Sequence, residues 1–181
     1  MSDQRPPSRE DADTPVAIRP MRPADLDAVV ELDASVFGAP RRAYFERRLA
    51  SLGQSGPQVH TIGLVAEQSG VIVGLVMGTL THGEFGFTQV TALVDSVAVR
   101  PDQQRRGIGR QLASAFLGES AVQGASEVYT LVNWNAWDML RFFDSLGFAL
   151  AATVPLRRRI GGAERPSGAG EERTQGAWGE R

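Results

Sequence analysis

The sequence predicts an α/β or α+β domain in which helices interrupt a mixed sheet. Three observations carry that prediction. Two apolar runs, "HTIGLVAEQ" and "VIVGLVMGTL", are separated only by Ser69 and Gly70, the spacing of a tight hairpin. A third apolar run, "TALVDSVAV", leads into "RPDQQRRGIGRQLASAFL", where a glycine-bearing turn opens a helix. Amphipathic helical segments lie before, between and after the strands.

Taken in order, residues 1–14 read as a disordered polar leader, residues 15–160 as one domain, and the Gly-, Glu- and Arg-rich residues 161–181 as a flexible tail. "PVAIRPM" is a short first strand. Leu26, Val29, Val30 and Phe37 then recur at helical spacing, with Asp25 near the helix start, where its charge suits the dipole. "RRAYFERRLASL" is a second amphipathic helix, ended by Gly53. The hairpin follows, then the glycine-containing loop "HGEFGFTQ". "TALVDSVAV" is apolar on both faces except at Asp95 and Ser96, which suits a central strand. Ile108, Leu112, Ala115 and Phe116 mark the next helix, which ends near Gly124. "SEVYTLVN" is another strand, and residues 135–146 form a helix closed by Gly147. "FALAATVPLRRRI" supplies a last strand or two.

Composition removes several function classes. The 181 residues are 42% hydrophobic with a formal charge of −2, so nothing calls for nucleic acid or an anionic membrane surface. No apolar run approaches the ~18 residues of a membrane span. The N-terminus lacks a signal-peptide core, and a cytoplasmic protein is the default. Cysteine is absent, which excludes disulfides, thiolate metal sites and a cysteinyl acyl-enzyme. Lysine is absent too: all 19 basic residues are arginine. Two histidines are too few for a histidine-based metal site, and no metal is expected.

The turn from Gln104 to Arg110, Q-R-R-G-I-G-R, holds the clearest chemistry. Gly107 and Gly109 can leave room above the backbone, and the first N–H groups of the following helix lack intrahelical acceptors. The helix dipole and Arg105, Arg106 and Arg110 add positive potential, making an anion site. A Walker-type loop is excluded because it needs a lysine, and the dinucleotide fingerprint because its third glycine is replaced by Leu112.

"VAVRPDQQRRGIGRQL" resembles the acyl-CoA motif of the GCN5-related N-acetyltransferases (GNAT family), [Q/R]-x-x-G-x-[G/A], met here by Gln104, Gly107 and Gly109. "NWNAWDMLRFFDSLGF" resembles a second family segment and "IRPMRPADLDAVVEL" the family's opening, so the resemblance spans about residues 16–160. It implies a mixed, mostly antiparallel central sheet flanked by helices, with a splayed strand pair that holds acyl-CoA. It implies that main-chain groups from Gln104 through Ile108 to Arg110 hold the CoA pyrophosphate, and that Val97 and Val99 pair with the pantetheine arm. Asn133 and Asn135 are candidates for CoA contact or for capping the helix. The implied activity is direct acetyl transfer from acetyl-CoA to an amine, in a protein that is often a homodimer. A non-catalytic acyl-CoA sensor is the alternative.

The chain departs from the family at one position. Four residues before Gly147, where the family often carries a tyrosine general acid, stands Phe143. With Phe142 and Trp137 it reads as core or pocket wall. Asp95 is the candidate base: period-2 alternation puts it on the face of Val97 and Val99, where a carboxylate is costly unless partnered or functional. An ion pair to an arginine is the structural alternative. His82 and Glu84, in the loop before that strand, are further candidates, and Arg157–Arg159 reads as a solvated strand end or an anion contact.

Overall fold

The structure is a computed structural model that describes residues 15–52, 59–82, 89–153 and 155. The leader, Gly53, Glu84, Arg157–Arg159 and the tail lie outside the described residues. The chain divides after Leu131 into two units, each taken by itself below.

The first unit runs β1 (Ala17–Pro20), α1 (Leu26–Phe37), α2 (Arg42–Ala50), β2 (Val59–Gln68), β3 (Val71–His82), β4 (Val90–Val99), α3 (Ile108–Val122) and β5 (Glu127–Thr130). The strands lie side by side in chain order. Neighbours are antiparallel except β4 and β5, which are parallel. Local chemistry explains both patterns. Ser69 and Gly70 take φ of 50° and 77°, the double left-handed turn whose twist matches a hairpin. Helix α3 carries the chain back across the sheet, which a parallel pair requires.

Asp25 closes the entry to α1. It accepts the Arg22 N–H at 2.7 Å and two Arg19 guanidinium bonds at 2.8 and 3.0 Å. The Arg19 bonds above all hold its carboxyl below the usual carboxylate range. Gly38, at φ 80°, ends the helix and donates to Ala34 O at 2.9 Å.

Apolar layers cover both faces of the sheet. On one, Val29 and Val36 of α1 and Phe45 and Leu49 of α2 pack on Val65, Leu75, Met77 and Ala98. On the other, Ile108, Leu112 and Phe116 of α3 pack on Leu64, Val76, Leu80, Val94 and Val99. Each such side chain contributes roughly 1.5–3 kcal/mol on burial. Phe37, expected on the buried stripe of α1, is instead 48% exposed, with the Arg41 guanidinium 4.8 Å from its ring centre.

Two details matter for β4. Met77 faces Ser96 and Gly78 faces Val94, so Asp95 has no partner on β3 and forms a β-bulge. Gly78 sits opposite that bulge with no room for a side chain: a Cβ would lie 2.2 Å from Leu93 O and 2.6 Å from the Phe116 ring. Gly78→Ala is therefore expected to cost about 3 kcal/mol, at the upper end of the overpacking range. Urea unfolding would measure it; a loss under about 1 kcal/mol would mean that β3 and β4 separate more easily than this packing implies.

The second unit contains α4 (Trp137–Asp144). The helix begins two residues later than expected: its N-cap is Ala136, with no side-chain cap, so Asn135 does not cap it. A turn in which Ala136 N–H donates to Asn133 O at 2.9 Å leads the chain in instead. Gly147, at φ 88°, closes the helix as expected, and Phe148 N–H reaches Phe143 O at 3.1 Å. Phe143 is buried, with Phe142 and Phe148 edge-on at 5.1 and 5.0 Å. Trp137 does not join that core and is 63% exposed. Residues 148–153 carry no strand, so the expected last strand is not found in this part of its range.

Candidate active site

The turn after β4 is built from backbone. Arg100 N–H donates to Val73 O at 2.9 Å, which fixes the end of the strand. A 3-10 turn over Pro101–Gln103 follows. The Gln104 side chain then donates to Val99 O at 3.1 Å and ties the turn to the strand it has left. Arg105 takes a φ of 60°, unusual for a side-chain-bearing residue, and Gly107 takes 82° as the N-cap of α3. No side chain caps this helix, whose first turn closes with Gln111 N–H on Gly107 O at 3.0 Å. The N–H groups of Ile108 and Gly109 therefore lack intrahelical acceptors. A Cβ on Gly107 would meet nothing within 4 Å, so the space over the turn is open. Arg105, Arg106 and Arg110 are exposed around it, and Arg106 bonds to Gln103 Oε1. The Ile108 side chain is buried in the core, leaving only its backbone to the turn. This arrangement can hold a multiply charged phosphate group.

Beside the turn, β4 has an open edge. Strand β5 pairs with it only from Thr91 to Val94, and Thr130 Oγ1 donates to Val94 O at 3.1 Å where the pairing stops. Among the described residues no strand pairs with Asp95–Val99 on that side. An extended amide-bearing chain can bond to such an edge as an added strand.

The bulge corrects the expected position of Asp95. Val97 and Val99 pack in the α3 layer, whereas Asp95 and Ser96 face α2. Alternation fails because the extra residue on β4 shifts the side-chain phase. Asp95 Oδ1 accepts the Tyr44 hydroxyl at 2.6 Å, and Oδ2 is paired with Arg48. The Tyr44 oxygen also lies 3.3 Å from Ser96 Oγ, which accepts from Arg41 Nη2 at 3.3 Å. Arg41 Nε donates at 2.9 Å to Asp33, whose side chain is fully buried. Burial pushes the Asp95 pKa above the ordinary carboxylate value, an effect that the Tyr44 hydrogen bond and the Arg48 and Arg41 charges reverse only in part. Tyr44 is likewise raised, by burial and then by its bond to Asp95.

Sequence reasoning missed Arg41, Tyr44 and Arg48. Their spacing was the available signal: Tyr44 and Arg48, four residues apart, share one face of α2, and Arg41 is the N-cap residue just before it. Of the other candidates, Asn135 is exposed, as is His82 at the end of β3. Among the described residues, no group of His, Cys, Asp and Glu could hold a metal, and no helix is long and apolar enough to cross a membrane.

The family model described as "Acetyltransferase (GNAT) domain" matches residues 60–150. The chain is similar to the L-amino acid N-acyltransferase MnaT of Escherichia coli (strain K12), with 29% identity over 153 residues, covering 77% of this chain and 83% of the relative. Among solved structures it is similar in fold to aminoglycoside N-acetyltransferase AAC(6')-Iy in complex with CoA, with a TM-score of 0.70 and 18% identity, over 81% of this chain and 95% of that one. It is also similar in fold to the ribosomal-protein-S18-alanine N-acetyltransferase from Escherichia coli, with a TM-score of 0.62 and 20% identity, over 76% of this chain and 79% of that one.

Proposed function

Since the chain belongs to the GNAT acetyltransferase family, we propose that it moves an acetyl group from acetyl-CoA to a primary amine while both substrates are bound. The observation that carries this reading is the junction of two features. The uncapped helix start at Gly107 lies at the end of β4, the same strand whose edge opens beyond Val94. The first suits a pyrophosphate and the second a pantetheine arm, which supports a thioester held near the Asp95 bulge.

The turn from Gln104 to Arg110, including Arg105, Arg106 and Gly109, holds the phosphates. The main chain at Val97 and Val99 pairs with the pantetheine amides, and β4 main-chain N–H groups polarise the thioester carbonyl. Asp95 takes the proton that the amine sheds. The amine nitrogen forms a bond to the carbonyl carbon, the carbon–sulfur bond breaks, and the sulfur leaves with the electron pair. With Phe143 where the family often has tyrosine, the second N–H proton, released as the amide forms, reaches the thiolate through solvent. A thiol of pKa about 8.5 tolerates that arrangement. Much of the acceleration comes from holding both reactants together.

Thiol release from acetyl-CoA against a panel of amines tests the proposal, and a protein without cysteine gives little background. Release that depends on an amine, with intersecting double-reciprocal lines when both substrates vary, is the expected result. Parallel lines would indicate a covalent intermediate and contradict direct transfer. CoA binding with no release for any amine would favour a non-catalytic sensor.

A further inference from the structure

By their names the three relatives act on three acceptor classes, and the groups on the α2 face of the bulge bear on which of these this chain takes. Arg41 is a fixed cation. Its Nε and Nη2 both bond to the buried Asp33, and its guanidinium lies 5.0 Å from the Tyr44 ring centre and 5.7 Å from that of Phe45. Nη2 also reaches Ser96. Nη1 meets no acceptor among the described residues, and the side chain stays 38% exposed. One residue from Ser96 along β4, Asp95 uses one oxygen for Tyr44 and the other for Arg48. A carboxylate has about four acceptor positions; Tyr44, Arg48 and the Asp95 backbone N–H take three, and the side chain stays 16% exposed. The charges facing this patch are Asp33 from α1, Arg41 at the N-cap of α2, Arg48 from α2, and Asp95 from β4, and they balance.

From this juxtaposition we propose that the α2 face of the bulge is the acceptor subsite and that it takes a free α-amino acid. The α-carboxylate docks on Arg41 Nη1 and the α-amine on Asp95. A zwitterion matches an adjacent cation and anion of zero net charge. A peptide N-terminus presents an uncharged amide where the carboxylate should lie, and an aminoglycoside has no carboxylate. This inference rests on the acyltransferase reading.

The test compares L-alanine, L-leucine and L-phenylalanine with their carboxamides, by kcat/KM with acetyl-CoA and by calorimetry on the CoA-saturated protein. The free acids are expected to be favoured by ~10- to 100-fold, the worth of a hydrogen bond to a charged group. Removing Arg41 alone would strand the buried Asp33, so the informative variant is Asp33→Asn with Arg41→Gln. It should bring the acid-to-amide ratio close to one while still using the amides. Because the ratio is read within one protein, partial loss of fold cancels. Equal use of acids and amides by the wild type overturns the proposal, as does a ratio unchanged in the double variant. CoA binding with no affinity for either set of ligands also overturns it. Failure of CoA to bind the wild type would instead remove the acyltransferase reading beneath it.

Discussion

Asp95→Asn is expected to lower kcat by about 10²-fold, the lower range for a general base, and to leave CoA affinity nearly unchanged. The reasons lie on opposite sides of β4. The CoA contacts proposed for this strand are main-chain, and Val97 and Val99 face the α3 layer, whereas the Asp95 carboxylate faces α2. The pH profile separates a base from a structural partner of Arg48. A base works only when ionised, so the wild-type rate should fall as pH drops through the Asp95 pKa. Burial raises that pKa, which puts the acidic limb above the ordinary carboxylate range. Asparagine has nothing to protonate there, so the limb should vanish. The stability sign is opposite to that of most carboxylates. With its folded pKa raised, ionised Asp95 costs stability, and the cost is relieved as pH falls through that raised value. A variant with full activity and an unchanged acidic limb would return Asp95 to a purely structural role.

The parts of this fold that were readable in sequence are those set by single residues acting locally. Ser69-Gly70 encodes the hairpin, and Gly107, Gly124 and Gly147 stand where the backbone takes positive φ at helix ends. Periodicity placed α1 and α3, because one-sided burial imposes a 3.6-residue repeat. The bulge at Asp95 left no such mark. Where a strand gains a residue depends on its partner, here on Gly78 packing against Leu93 O, and alternation within "TALVDSVAV" cannot report it. The same applies to Asn135: a turn closed by main-chain Asn133 and Ala136 brings the chain into α4 without a side-chain cap.

The candidate site divides along the same line. The candidate anion turn was legible because its geometry rests on glycine conformations and a free helix start, both written in consecutive residues. The α2 contribution was not. Arginines on an amphipathic helix read as a solvated face, and only the fold reveals that Arg41 reaches the buried Asp33 and that Tyr44 and Arg48 converge on Asp95. Asp95 itself stood out in sequence as a charge within an apolar strand, yet its direction depended on the bulge.

The most direct measurement of the central claim is a calorimetric titration of CoA into the wild type and into Gly109→Val. Gly107 is the less informative position, since its φ of 82° would strain any side chain whatever the ligand. Gly109 lies in the first turn of α3 without a positive φ, so a side chain there is compatible with the backbone. If the pyrophosphate rests on the N–H groups of this turn, the added side chain pushes it away, and losing two charge-assisted hydrogen bonds weakens binding by at least about 100-fold. The account predicts a saturable CoA isotherm for the wild type and none at the same concentrations for a variant with unaltered circular dichroism. Equal affinity in the two proteins would contradict it.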